Sequence, residues 1–179
     1  ASSLIVYSTP DLSSGQNDVL ALMFNMNVLW EKFMFNTIKR WLKGKYIVTK
    51  SGERGFWKLD TATKKSTSTM QPDIIIKNFK NKKDIVLDAK WKDIESKKTK
   101  NPSAEDLRQL YTYSHYYDAE KVALLYPGSE YQQKTGHYFD EKTGCLGRRE
   151  CSVIKFSINE NMSAWQDEIC KTLTTWLEN

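Results

Sequence analysis

Gln71-Pro72-Asp73-Ile74-Ile75-Ile76, followed by Asp84-Ile85-Val86-Leu87-Asp88-Ala89-Lys90-Trp91, decides how this chain is read. Two short β-branched runs bounded by turn signals predict adjacent strands of a hairpin. The polar stretch Lys77-Asn78-Phe79-Lys80-Asn81-Lys82-Lys83 joins them. Pro72 biases the entry toward extended backbone and cannot sit inside a central strand, so Asp73 opens the first strand. Asp88 and Lys90 are two residues apart, and strand alternation points them to one face. Asp88 follows Ile85-Val86-Leu87, a run that reads as buried on both faces. A charge there needs partners, because an unpaired buried charge is costly.

Antiparallel pairing brings Asp73 alongside Asp88. Two carboxylates, the main-chain carbonyl of Ala89 and a neighbouring lysine make a hard oxygen site that suits Mg²⁺ or Mn²⁺. In such a site Lys90 would hold a water or stabilise negative charge developing on a phosphoryl group. The alternative is a structural salt bridge between Lys90 and either aspartate at the rim of a sheet. The hairpin alone does not separate the two.

Working outward, the chain of 179 residues is of one-domain size and long enough for a sizeable core. No run approaches the roughly 20 apolar residues of a membrane span. The formal net charge of +5 favours a polyanionic partner. Lys77, Lys80, Lys82 and Lys83, then Lys92, Lys97 and Lys98, flank the hairpin in sequence and read as a rim that tracks a phosphate backbone. A solvated loop kept soluble by lysines is the plainer alternative. Three cysteines without metal-finger spacing fit a reducing, cytoplasmic setting, and His115 and His137 are too few for a zinc site. Ser8-Thr9-Pro10-Asp11-Leu12-Ser13-Ser14-Gly15-Gln16 reads as a linker, which with no initiator Met favours an excised fragment over a processed product. The expected boundaries are a linker over 1–17 and one domain over 18–179.

Before the hairpin, helical spacing predicts a helix over about Asn17 to Lys43, stopped by Gly44. Phe24, Val28, Phe35, Ile38 and Leu42 form its inward stripe, widened by Leu22, Met26, Leu29 and Phe33. Glu31 interrupts that stripe, either as a salt-bridge partner or as a third carboxylate aimed at the metal site, directly or through water. Strands are expected at Lys45 to Lys50 and Phe56 to Leu59, and an exposed loop at Thr61 to Thr69. After the hairpin, Ser103 caps a helix to about Asp118, with Leu107, Leu110, Tyr111 and Ser114 on one face. Gln109 and Tyr113, four apart on another face, are candidates to orient a water, a phosphate or Lys90, or to buttress the site. A strand at Lys121 to Tyr126 ends at Pro127-Gly128. Ser129 to Glu150 reads as loop with a short strand at His137 to Phe139, and Arg148 and Arg149 are phosphate or surface residues. A strand at Cys151 to Ile158 and an amphipathic helix at Ser163 to Leu177, with Trp165, Ile169, Leu173 and Trp176 inward, close the chain.

Pro72-Asp73, Asp88-Ala89-Lys90 and Gln109-x-x-x-Tyr113, in this order of elements, resemble the PD-(D/E)xK nuclease superfamily and its RecB-like branch. The phrases Phe24-Asn25-Met26-Asn27-Val28-Leu29-Trp30-Glu31-Lys32-Phe33, Pro72-Asp73-Ile74-Ile75-Ile76, Leu87-Asp88-Ala89-Lys90-Trp91-Lys92, Asp106-Leu107-Arg108-Gln109-Leu110-Tyr111-Thr112-Tyr113 and Leu124-Leu125-Tyr126-Pro127 resemble, more closely, the C-terminal nuclease domain of the McrC family.

The resemblance implies an α/β, restriction-endonuclease-like fold, a mixed central sheet flanked by helices. It implies Asp73 and Asp88 as ligands of a divalent metal, Lys90 as catalytic lysine, Glu31 as the acidic residue of the first helix, and Gln109 and Tyr113 as the motif of the following helix. The implied activity is Mg²⁺-dependent hydrolysis of double-stranded DNA within a modification-dependent restriction system of bacterial or archaeal cytoplasm. The implied partner is a McrB-like AAA+ GTPase, engaged through an N-terminal domain this chain lacks, and double-strand cleavage implies two such active sites. The alternatives are a catalytically silent nucleic-acid-binding or assembly module, a nuclease of single strands or RNA, and a nuclease of another defence system.

Overall fold

The hairpin forms as its sequence predicts and sits inside a larger sheet. The computed structural model describes residues 25–50, 54–58, 67–77, 83–92 and 102–178. In chain order its elements are α1 (Met26–Trp41), β1 (Ile47–Thr49), β2 (Arg54–Lys58), β3 (Thr67–Met70), β4 (Ile74–Lys77), β5 (Asp84–Ala89), α2 (Ala104–Tyr116), β6 (Lys121–Gly128), β7 (Gln132–Phe139), β8 (Leu146–Ser157) and α3 (Met162–Glu178). Six strands form one sheet in the order β1-β4-β5-β6-β8-β7, and β2 and β3 form a separate two-stranded ribbon. β5, β6 and β8 run parallel, while β1, β4 and β7 pair antiparallel with their neighbours. This is a mixed sheet flanked by helices, consistent with a restriction-endonuclease-like fold.

Local chemistry explains the main breaks. Asn25 caps α1 by accepting a hydrogen bond from the Val28 amide, and Gly44, with φ at +88°, ends the turn that follows. Ser103 caps α2 by accepting from the Asp106 amide. Parallel β5 and β6 need a crossover, and α2 supplies it, lying across one face of the sheet. The run Val122 to Tyr126 is buried throughout, as a strand covered on both faces requires. β6 continues through Pro127, beyond the last β5 pair at Ala89–Leu125, where only β8 remains beside it.

The sheet separates two apolar layers. Ile74, Ile76, Ile85, Leu87 and Leu125 pack with Trp30, Met34 and Ile38 of α1 and with Trp165, Ile169 and Leu173 of α3. Ile75, Val86, Val122, Leu124 and Tyr126 pack with Leu110 and Tyr113 of α2. No helix among the described residues is long and apolar enough to cross a membrane.

Three expectations need correction. α1 buries Trp30, Met34, Thr37 and Ile38, followed by Leu42, whereas Val28 and Leu29 are 40% and 46% exposed. A helix apolar on most sides offers no unique stripe. Its rotation is set by the Trp30 indole N–H, which donates to the Leu125 carbonyl at 3.0 Å. Residues 132–139 and 146–150 are strand rather than loop, because β7 pairs along β8 with its side chains mostly exposed and so lacks an alternating burial signal. Thr67 to Thr69 likewise belong to β3. The linker expected over 1–17 and the helical turns expected over 17–24 lie outside the described residues.

Trp30→Ala should destabilise the fold by about 3–5 kcal/mol. Leu29→Ala, one residue earlier, should change stability by roughly 0.5 kcal/mol or less. Urea unfolding of the two variants distinguishes the observed rotation of α1 from the stripe expected from spacing.

Candidate active site

β4 and β5 pair with Ile74 opposite Leu87. One step further along that register sets Asp73 opposite Asp88, on the sheet face covered by α2. Asp88 is 2% exposed. Asp73 is half-buried, and its Oδ2 accepts a hydrogen bond from the Ala89 amide at 2.8 Å. Lys90 Nζ lies 2.7 Å from Asp88 Oδ2. The two form a close ion pair, and apart from Lys90 no described residue donates to this buried carboxylate oxygen.

Proximity and burial strain both acids. Burial first, and then the charge of Asp88, push the Asp73 carboxyl up to about 7. Burial also raises Asp88, against the opposing charge of Lys90. Burial pulls on the Lys90 ammonium, but Asp88, with Asp73 behind it, outweighs that and holds the lysine protonated above its ordinary range. Glu31, on α1, is raised by burial and feels the charges of Lys90 and Asp88. It lines a cleft of about 190 Å³ with Lys50, Gln71, Pro72 and Asp73. Among the described residues no cluster of three or more His, Cys, Asp or Glu is placed to hold a metal ion. The acidic core of the site is therefore a pair, with Glu31 across the cleft.

Each residue leaving β5 is tied to a different element. The Lys90 amide donates to the Leu125 carbonyl of β6 at 2.9 Å. The Trp91 amide donates to Asn27 Oδ1 of α1 at 3.1 Å. Lys92 Nζ donates to both carboxylate oxygens of Asp106 on α2, at 2.9 and 3.0 Å. Tyr126 O–H donates to Asp106 Oδ2 at 3.1 Å. Burial would raise Asp106, but Lys92, Ser103 and Tyr126 together hold it below its ordinary range. Asp106 is 4% exposed. The Ser103 cap that receives its amide is legible in the sequence, whereas its carboxylate partners Lys92 and Tyr126 come from other parts of the chain. Lys50 was missed for the same reason, since nothing local connects it to Glu31.

Of the residues expected from sequence, Asp73, Asp88 and Lys90 come together, with Glu31 beside them. Gln109 Nε2 donates to Tyr113 Oη at 2.9 Å, and Tyr113 O–H donates to the Gln71 carbonyl at 3.3 Å, two residues before Asp73. This pair buttresses the entry to β4. Lys77 and Lys83 sit at the opposite end of the hairpin, about 13 Å of strand from Asp73. Lys80, Lys82, Lys97 and Lys98 lie outside the described residues. Lys92 is engaged by Asp106. Arg149 binds the Ser114 and Ala119 carbonyls at the end of α2. His115 and His137 are exposed, and Cys145, Cys151 and Cys170 are free thiols.

Two outcomes follow. Between about pH 4 and 7 the folded chain holds a proton on Asp73 that the unfolded chain releases, so this group's contribution falls as pH rises through that window. Asp73→Asn should flatten that slope and raise Tm at pH 8 by at least about 2 °C, as read by thermal melts across pH. Second, Lys92→Met should destabilise more than Asp106→Asn, because it strands a buried carboxylate while the second change frees a half-exposed ammonium to reach water. Chemical denaturation of both variants checks the order.

Comparison with known proteins bears on the fold and the family. No curated protein matches the chain. A chain of a solved structure, described as a half-complex from the tetradecameric assembly of Thermococcus gammatolerans McrB AAA+ hexamers with bound McrC, matches with a TM-score of 0.56 at 20% identity. The match covers 84% of this chain and 33% of that one, so this chain spans about a third of its neighbour's length. The model of the family described as "McrBC 5-methylcytosine restriction system component" matches residues 2–127. That is most of the chain, and the chain belongs to this family as a McrC-like member.

Proposed function

We propose that the chain is a metal-dependent DNA endonuclease domain of the PD-(D/E)xK type, the nuclease part of a McrC-like subunit. The observation that carries this reading is the buried Asp88 carboxylate, with Lys90 as the one donor beside its Oδ2, set opposite a second carboxylate raised to about 7. Two such acids in one place are unfavourable alone and favourable around a cation. Hard oxygen donors fit Mg²⁺ or Mn²⁺.

Asp73, Asp88 and the Ala89 carbonyl would hold the ion, and Glu31 would act through water. When bound, the ion supplies polarisation of a phosphoryl oxygen and a more acidic water. The chain's own residues do the rest. Lys90 is 22% exposed at the mouth of the site and keeps its proton, so it sets a fixed positive charge where phosphate oxygens would gain charge. The Ala89 amide orients Asp73, and the Gln109–Tyr113 pair holds the backbone before it. Double-stranded DNA would be gripped by its backbone with little base readout, at Lys77, Lys83 and the lysines flanking the hairpin, with salt-sensitive affinity. The McrB-like AAA+ GTPase would bind a part of the subunit other than this domain. Pairing of two domains would cut both strands in a prokaryotic cytoplasm.

A second reading has its own support. Lys90 already offsets the Asp88 charge, as it would in a domain that keeps the fold and binds nucleic acid without cutting it. Plasmid nicking with Mg²⁺ or Mn²⁺, with the AAA+ partner added, separates the two. The nuclease reading predicts nicking that Asp88→Asn abolishes together with Mn²⁺ affinity. It predicts that Lys90→Met lowers nicking by about 100-fold or more. Absence of Mn²⁺ affinity in the unaltered protein, or nicking that survives Asp88→Asn, overturns it. Parallel trials on duplex, single-stranded DNA and RNA assign the substrate.

A further inference from the structure

The two-stranded ribbon is not part of the central sheet, yet its root lies at the candidate site. β3 ends at Met70, three residues before Asp73. Three tyrosines of α2 and its cap fasten this root. Tyr116 O–H donates to the Gly55 carbonyl at 2.9 Å, Tyr117 O–H to the Met70 carbonyl at 3.2 Å, and Tyr113 O–H to the Gln71 carbonyl. The Arg54 guanidinium lies 5.1 Å over the Tyr117 ring. The ribbon is therefore aimed, on the same helix that buttresses Asp73.

What it carries is unusual for a free surface. Phe56 and Trp57 are adjacent and 53% and 54% exposed. In a regular strand neighbours point to opposite faces. Here Gly55 pairs with Thr69 and Trp57 with Ser68, so Phe56 is an extra residue without a partner. A bulge of this kind re-aims side chains and increases local twist. β2 carries Arg54 and Lys58, and although Glu53 and Asp60 flank it in sequence, Lys64 and Lys65 before β3 keep the stretch 53–70 net basic. Exposed aromatic groups in a basic setting complement a phosphate backbone and base faces better than an average protein surface.

We propose that the ribbon is a DNA wedge: Phe56 and Trp57 stack on bases at a step beside the phosphate that Lys90 would face at the candidate site, and Lys58 contacts the backbone. The proposal rests on the nuclease reading for the position of that phosphate, but its test does not depend on cleavage. Binding of duplex DNA is measured by fluorescence anisotropy in EDTA at one fixed ionic strength. A second duplex carries 2-aminopurine, which brightens when its base step is unstacked. The unaltered protein should bind and brighten the probe. The double variant Phe56→Ala/Trp57→Ala should bind at least about 5-fold more weakly, the lower bound for losing even one base–aromatic stack, and leave the probe dark. Trp57→Phe should retain most of the binding, and Lys58→Ala should reduce the salt slope by about one. Both aromatic side chains are half-exposed, and an unchanged melting midpoint confirms that the double variant folds.

Equal affinity and equal brightening in the double variant would overturn the wedge. So would no duplex binding by the unaltered protein, or intact DNA binding with loss of association to a partner subunit, which would make the ribbon a protein interface. Nicking by the unaltered protein alongside an indifferent double variant would remove the wedge and leave the nuclease. Lost DNA binding in the double variant, with no nicking by the unaltered protein even when the AAA+ partner and Mn²⁺ are added, would remove the nuclease and leave the wedge.

Discussion

Two carboxylates held face to face across a β-hairpin are the constraint around which the chain is arranged. Asp73 and Asp88 repel each other, burial disfavours the charge of both, and Lys90 offsets only part of the cost. Left mobile, they would turn away from each other toward water. They are instead held by the strand register, by the Ala89 amide on Asp73, and by separate tethers on Lys90, Trp91 and Lys92. Stability is given up locally and recovered in the two apolar layers on either side of the sheet.

α2 is the second organising element. It begins at Ser103 with the Asp106 network, which holds the chain leaving β5, and ends near Tyr117, which holds the chain entering β4. One helix thus fixes both approaches to the aspartate pair. The parallel β5–α2–β6 crossover makes this possible, since it lays α2 over the face on which the acids point. The ribbon shares the same anchors, so DNA contacts there and chemistry at the pair would keep one spatial reference.

The parts written in local pattern were legible before any coordinates. β-branched runs and Pro72 defined the hairpin, alternation set Asp88 and Lys90 on one face, and Ser103 and Gly44 marked helix ends. The ordered phrases around Asp73, Asp88, Gln109 and Tyr113 pointed to the family that residues 2–127 match. What was not legible depends on distant partners. The rotation of α1 is set by a Trp30 bond to Leu125, 95 positions away. The burial of Asp106 is set by Lys92 and Tyr126. β7 was hidden because an exposed edge strand needs no alternation, and Gly136 within it, with Gly144 and Gly147 after it, imitates loop chemistry.

The account stands on the aspartate pair being a cation site rather than a rim salt bridge. Crystals of the protein soaked in Mn²⁺ and measured at the manganese absorption edge address this directly. The account predicts an anomalous peak between Asp73 and Asp88, about 2.1 Å from an oxygen of each, with Lys90 displaced from Asp88 Oδ2 toward the cleft. A well-ordered Asp88–Lys90 contact with no manganese between the two aspartates would contradict it.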